Sequence, residues 1–315
     1  MGISNANAAL LFAAKSQGLR FQKTATIGKQ TFWPTVSGLR YILPAFGINV
    51  DAGDLLHTMG SDGSKFIKYL GAETVEEFDA SSYEHASVVF DMNTPLPRQW
   101  IEQFDLVYDG GSLEHIFDVR QALCNIRNMV KVGGAFVGST AANNQLGHGF
   151  YQFSPELFFR VFSIENGWEL ICVLLCEHQA MPPRYWRVED PKELGHRIEI
   201  QNPEQLYIMV IARKVESVKV YATPQQSDYF ATWQKAAVPD QSAVEETGPT
   251  LQGQPPAEMA NSILRISKKI YNRISRWRAA HIPIGRMTRN GLQQTGIREI
   301  SLVEMSQIMT LGKHS

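Results

Sequence analysis

Three aspartates close three short β-rich runs. Residues 74–78 (TVEEF) alternate toward Asp79, residues 86–90 (ASVVF) end at Asp91, and residues 104–108 (FDLVY) end at Asp109, which Gly110 and Gly111 follow. Carboxylates repeated at strand ends suit a ligand with several donors: ribose hydroxyls, an adenine amino group or a cation. Aspartate is also a common turn residue, so the row carries chemistry only if the strands share an edge. Two histidines are candidates for proton transfer, the usual work of an imidazole near neutrality. His115 lies three residues beyond the turn 109–112 (DGGS), and His148 sits in residues 143–152 (NNQLGHGFYQ). The Asn, Gln and Tyr around His148 suit a hydroxyl-rich ligand such as a sugar; the plain alternative is that they make turns and pack. No metal site is expected, because Cys172 and Cys176 stand on an apolar run with no second Cys/His pair at ligand spacing. Gly147-x-Gly149 lacks the Lys-Ser/Thr of a phosphate loop, and no Gly-x-Ser-x-Gly, His-Glu-x-x-His or Cys-x-x-Cys pattern occurs. Hydrolase and zinc-enzyme chemistry is therefore not expected.

The elements that must position these residues alternate. Residues 24–28 (TATIG) read as a strand that stops on Gly28, and Gly71 stops a helix ending near Leu70. From Val119 to Met129 the apolar positions Val119, Ala122, Leu123, Ile126 and Met129 recur every three or four residues, one face of a helix that Gly133-Gly134 would end. Ser154-Pro155-Glu156 reads as a helix cap and first turn. Two long apolar strands follow, residues 168–176 and 205–213, separated by a Pro-rich excursion. Strands alternating with helices imply a doubly wound, mostly parallel α/β sheet with helices on both faces. The last two strands, joined without a helix, imply an antiparallel pair at the sheet edge. Ligands of such sheets bind outside the carboxyl ends of the strands, where Asp79, Asp91 and Asp109 would sit.

At 315 residues the chain can bury a sizeable core, and its 44% hydrophobic and 19% charged residues describe an ordinary globular protein, not a collagenous or wholly disordered one. The run 8–14 is apolar but short and lacks a preceding basic segment, so a cleaved signal peptide is not expected. With three cysteines, the expected location is cytoplasmic. The net charge of −1 conceals an uneven distribution: −5 over residues 1–214, −3 over 215–257 and +7 over 258–315. The middle piece, 215–257, is rich in Pro, Gln and Ser and reads as a linker between an α/β domain, 1–214, and a basic amphipathic helical tail, 258–315.

The order of motifs, from Asp79 through Asp91-Met92-Asn93 and FDLVYDGGSLEHI (104–116) to MVKVGGAFV (129–137), resembles the class I S-adenosylmethionine-dependent methyltransferases over about residues 20–214. The resemblance implies a Rossmann-like fold, with S-adenosyl-L-methionine as cofactor. It places Asp79 on the ribose hydroxyls, Asp91 and Met92 at the adenine, and Asp109, Gly110 and Gly111 beside the methyl donor. Gly28 would supply the tight turn after the first strand, and the segment holding His148 would meet the acceptor. One departure is plain: the family's acid-x-Gly-x-Gly-x-Gly loop is replaced by Ala25-Thr26-Ile27-Gly28-Lys29-Gln30.

In the tail, Met259, Ile263, Ile266, Ile270, Ile274 and Trp277 form one helical stripe among Arg and Lys residues. That pattern suits an anionic membrane surface or a protein partner through residues 258–279, which would put the protein at the membrane periphery; nucleic acid is not expected. Two functions follow: methyl transfer to a small-molecule or carbohydrate-like acceptor at oxygen or nitrogen, or a catalytically inactive scaffold of the same fold acting through its basic tail.

Overall fold

The computed structural model describes residues 2–177, 181–198, 200, 202–229 and 296–308. The strands that carry the row of aspartates are β2 (Lys23–Ile27), β4 (Thr74–Asp79), β5 (Val88–Val89) and β6 (Phe104–Gly110). With β7 (Val130–Asn143) they pair in parallel in the order β7-β6-β2-β4-β5. From β2 the chain builds outward to β5, then returns to place β6 on the other flank of β2. The switch point, where an open α/β sheet presents its ligand crevice, therefore lies between β2 and β6. This is a Rossmann-like, mostly parallel doubly wound sheet, as expected.

Two apolar layers cover it. On one face lie α1 (Asn5–Ser16), α2 (Val36–Ala45), α3 (Ala52–Met59) and α4 (Gly63–Tyr69) around Phe12, Phe66 and Tyr108. On the other lie α5 (Val119–Met129) and α6 (Pro155–Val161) around Phe104, Phe136 and Trp168. The helices begin where short polar side chains accept from the first free N–H groups: Ser4 from Asn7, Asp118 from Gln121, and Ser154, ahead of Pro155, from Glu156. The apolar run 8–14 is buried in α1, whose Ala-rich surface lets it lie close to the sheet.

Three expectations are corrected. The antiparallel pair, β8 (Trp168–Glu177) and β10 (Leu206–Lys214), is not at the edge. The excursion between them contains β9 (Arg184–Val188) and a short helix, α7 (Pro191–Leu194), and β9 pairs with β8. Alternating Tyr185, Trp186 and Val188 bury against the two cores, which proline counting did not reveal. Second, residues 297–300, assigned to a helical tail, form β11 (Ile297–Ile300), paired antiparallel with β9. A last helix, α8 (Leu302–Ser306), then packs on α1 and α2 with Leu302 and Met305 buried. Third, Gly133-Gly134 do not end a helix. α5 stops at Met129, and the pair lies in β7 at a register shift between Phe104↔Val130 and Leu106↔Ala135, Gly133 at φ 79°. The stripe 258–279 and most of the linker lie outside the described residues.

The loop after β5 is fixed by one buried side chain. Asn125 of α5 donates through Nδ2 to the carbonyls of Met92 (3.1 Å) and Thr94 (2.8 Å), while its Oδ1 accepts from Leu96 N (3.1 Å) and Gln121 Nε2 (2.8 Å). Truncating it orphans three backbone groups of the loop and leaves the Gln121 amide without this partner. Asn125→Ala should therefore lower stability by about 1–3 kcal/mol, read as a lower melting temperature and a smaller denaturation midpoint.

Candidate functional site

The carboxyl edge of β2, β4, β5 and β6 brings the aspartates into one row. Ile27 stands level with Phe78 on one side and Asp109 on the other, and Asp79 with Val89. Gly28, just beyond β2, adopts φ 74° and donates its N–H to Phe78 O at 2.6 Å, making the sharp exit its residue type suggests. Their environments differ. Asp79 is half-buried, its Oδ1 accepting from Ser81 N (3.1 Å). Asp91 is exposed and accepts from Asn93 N and Nδ2, while Met92 beside it is buried. Asp109 is wholly buried: Oδ1 accepts from Ser112 N (2.8 Å), and Oδ2 has no hydrogen-bond partner.

Beyond β6 the chain turns at Gly111 (φ 99°) into a single 3-10 turn, Leu113–His115. That turn buries Glu114 completely, with Oε2 accepting from Thr140 Oγ1 of β7 at 2.6 Å and Oε1 lacking a hydrogen-bond partner. The Glu114 carbonyl accepts from Phe150 N (2.7 Å) and Tyr151 N (3.2 Å), which folds the loop after β7 back over the turn. Gly149 permits this contact, since a Cβ there would lie 2.6 Å from Glu114 O. His148 is thereby set beside His115, their ring centroids 5.1 Å apart, with His148 Nε2 3.6 Å from Glu114 Oε1. The structure thus joins the two histidines and brings in Glu114, which the sequence presents only as one residue of the segment 104–116.

A cavity of about 270 Å³ opens at this point, lined by Gly110, Gly111, Glu114, His115, His148 and Tyr207 together with Gly2, Ser4, Asn7, Trp33 and Ser139. Asp79 and Asp91 are not among its lining residues. A space of this size lies just under the range for drug-sized ligands, so it would hold a small group and not a nucleoside as well. The polar residues of 143–152 are mostly engaged in the loop itself. Asn143 donates to Asn202, Asn144 to the carbonyls of Asn202 and Glu204, Gln145 to Leu206 O, and Tyr151 Oη to Phe117 O. Their composition reflects loop folding, not a sugar surface; of this segment only His148 reaches the cavity wall.

The first loop is closed by side chains where glycines are usual in the resembled family. Gln30 is 1% exposed, and its Nε2 donates to the carbonyls of Ile27 (2.8 Å) and Gly28 (3.2 Å). A Cβ on Gly110 would lie 2.2 Å from Gln30 Oε1, so the amide fills the space that Gly110 leaves. Lys29 reaches instead to Glu77 on β4 (3.5 Å). Among the thiols, burial pushes Cys172 up to about 12 and Cys176 well above its ordinary value, which suits core residues and not nucleophiles.

Burial, with the Glu114 carboxylate second, pushes Asp109 up to about 8 from an ordinary 3.8. Burial also holds His115 below the usual imidazole value, against the opposing pull of Glu114. No protein-family model and no curated protein matches the sequence. Similar solved structures include the YcgJ protein of Bacillus subtilis (14% identity, 66% of this chain and 99% of that one, TM-score 0.38). A second is the N-methyltransferase NodS of Bradyrhizobium japonicum with S-adenosyl-L-homocysteine (13% identity, 66% and 84%, TM-score 0.36). A third is a putative S-adenosylmethionine-dependent methyltransferase from Listeria monocytogenes (13% identity, 66% and 98%, TM-score 0.38).

Because the folded protein keeps a proton on Asp109 that the unfolded chain has lost, stability should fall as pH rises from about 4 to about 8. Asp109→Asn removes that titration, so its melting temperature should decline less across this window than that of the parent protein.

Proposed function

We propose that the protein is an S-adenosylmethionine-dependent methyltransferase acting on a small acceptor held beside His115 and His148. The observation that carries this reading is the set of buried oxygens without hydrogen-bond partners next to the switch point. Asp109 Oδ2, Glu114 Oε1 and Gln30 Oε1 are all buried and lack hydrogen-bond partners. Such atoms are costly unless a donor or cation meets them. A methyl donor that carries an ammonium and a sulfonium is chemically suited to them, and Gly111 lines the cavity beside them without a side chain.

On this reading Asp79 would hold the ribose hydroxyls, Asp91 and Met92 would flank the adenine, and Gly28, Asp109, Gly110 and Gly111 would border the reactive end. The donor supplies an electrophilic methyl group; what remains for the chain is alignment. In-line displacement from a sulfonium gains most from positioning, which can contribute about 7–11 kcal/mol. Trp33 and Tyr207 on the cavity wall would orient the acceptor, and its small volume favours a compact molecule or the reacting end of a larger one. His148, 44% exposed, and His115 stand where either could take a proton from an acceptor hydroxyl or amine. A neutral His115, consistent with its lowered proton affinity, is in the form a base needs.

A second reading, a scaffold of the same fold that binds no donor, is favoured by Gln30 alone, since its amide fills the gap beside Gly110. Calorimetric titration separates the two. S-adenosyl-L-homocysteine should bind the full chain one to one, and Asp79→Ala should weaken it about 10- to 150-fold, the loss of a hydrogen bond to a charged group worth about 1.5–3 kcal/mol. A well-folded protein that takes up neither S-adenosyl-L-methionine nor its demethylated product at millimolar concentration is the scaffold.

A further inference from the structure

We propose that Glu114, His115 and His148 form a binding site for one divalent transition-metal ion at the mouth of the cavity. One ligand atom from each, a carboxylate oxygen and two imidazole nitrogens, lies within 4.8 Å of the others. His148 Nε2 and Glu114 Oε1 are 3.6 Å apart. Ligands about 2.1 Å from a tetrahedral ion stand about 3.4 Å from one another, so small side-chain adjustments gather the set.

Glu114 supplies the independent sign that something belongs there. Its side chain is 0% exposed, Thr140 Oγ1 fixes Oε2, and Oε1 is left at the cavity wall with no hydrogen-bond partner. A hydroxyl holding the outer oxygen while the inner one faces a ligand site is the support that orients a metal-binding carboxylate. Placement of the imidazoles does not depend on flexible side chains alone. His115 follows Glu114 in the 3-10 turn, and His148 is held over it by the two backbone bonds to Glu114 O and by the bare face of Gly149, where a Cβ would come within 3.2 Å of His115 Nδ1. His115 and His148 are both exposed, so an ion has a path in from solvent.

Two imidazoles and one carboxylate select zinc, manganese(II) or iron(II) over calcium and magnesium, which take oxygen ligands. Three protein ligands leave at least one position for water or for an oxygen of a bound molecule. If methyl transfer is the activity, as proposed above, an acceptor hydroxyl on the ion would lose its proton more readily. The histidines would then act as ligands and not as bases. The site itself stands apart from that reading.

The test uses the full chain, stripped with a chelator and titrated with zinc chloride by calorimetry, with melting temperature as a second readout. About one equivalent should bind and raise the melting temperature. His115→Ala and His148→Ala, both at exposed positions, should melt like the stripped parent protein yet bind zinc at least about tenfold more weakly. Thr140→Val, which frees the outer Glu114 oxygen, should cost about 10- to 100-fold in affinity. Absence of zinc binding by the folded parent overturns the proposal, as does binding that neither histidine substitution weakens. Zinc binding without uptake of S-adenosyl-L-homocysteine keeps this site and removes the methyl-transfer reading; the converse result removes only the site.

Discussion

The rim depends on a buried carboxyl group. Glu114 is wholly buried; Thr140 of β7 donates to its side chain, and the N–H groups of Phe150 and Tyr151 in the loop beyond donate to its backbone carbonyl. A buried polar residue needs partners, and the backbone bonds that meet the Glu114 carbonyl fix where His148 stands beside His115. Asp109, one turn earlier, shares the same enclosed space and keeps its proton because of it. A polar cluster in so little solvent stores the cost of its own burial, and a cationic ligand is what would release it.

After β2 the chain solves a packing problem with a side chain. A glycine-rich loop lets backbone approach a ligand; here a glutamine side chain occupies that approach, hydrogen-bonded to the loop that carries it. The following residues Thr31–Phe32 pair with Gly2–Ile3, and Asn7 of α1 donates to Gly2 O (2.9 Å) and to the Tyr108 hydroxyl (3.0 Å). The N-terminal residues are thus part of the site's wall, and the crossover from β2 to β4 carries three helices and a short strand in place of one helix.

The far side of the sheet shows the same economy. β9 and β11 extend it past the antiparallel pair, and α8 then reaches α1, where Ser16 Oγ and Gln17 Nε2 both donate to Ser306 O at 2.9 Å. Residues near the two ends of the sequence therefore help close one core, and the helix that begins the chain is covered by the one that follows β11.

Local patterns determined α5, from its apolar face, and the helix start at Ser154-Pro155, from its capping residues, and the alternation of strands with helices implied the parallel sheet. Such patterns also put Asp79, Asp91 and Asp109 at strand ends, since a strand ends where its alternation does. Tertiary structure decided the rest. The expected sugar surface in 143–152 dissolved because Asn143, Asn144 and Gln145 find partners around residues 202–206, a pairing that no local pattern encodes. The edge strand β11 was illegible for the same reason: four residues become a strand only when β9 offers its free side. The meeting of His148 with Glu114 and His115, remote from it in sequence, follows from backbone bonds to one carbonyl. A sequence states which groups could do chemistry; which of them face one another is set by long-range hydrogen bonds and by the burial they require.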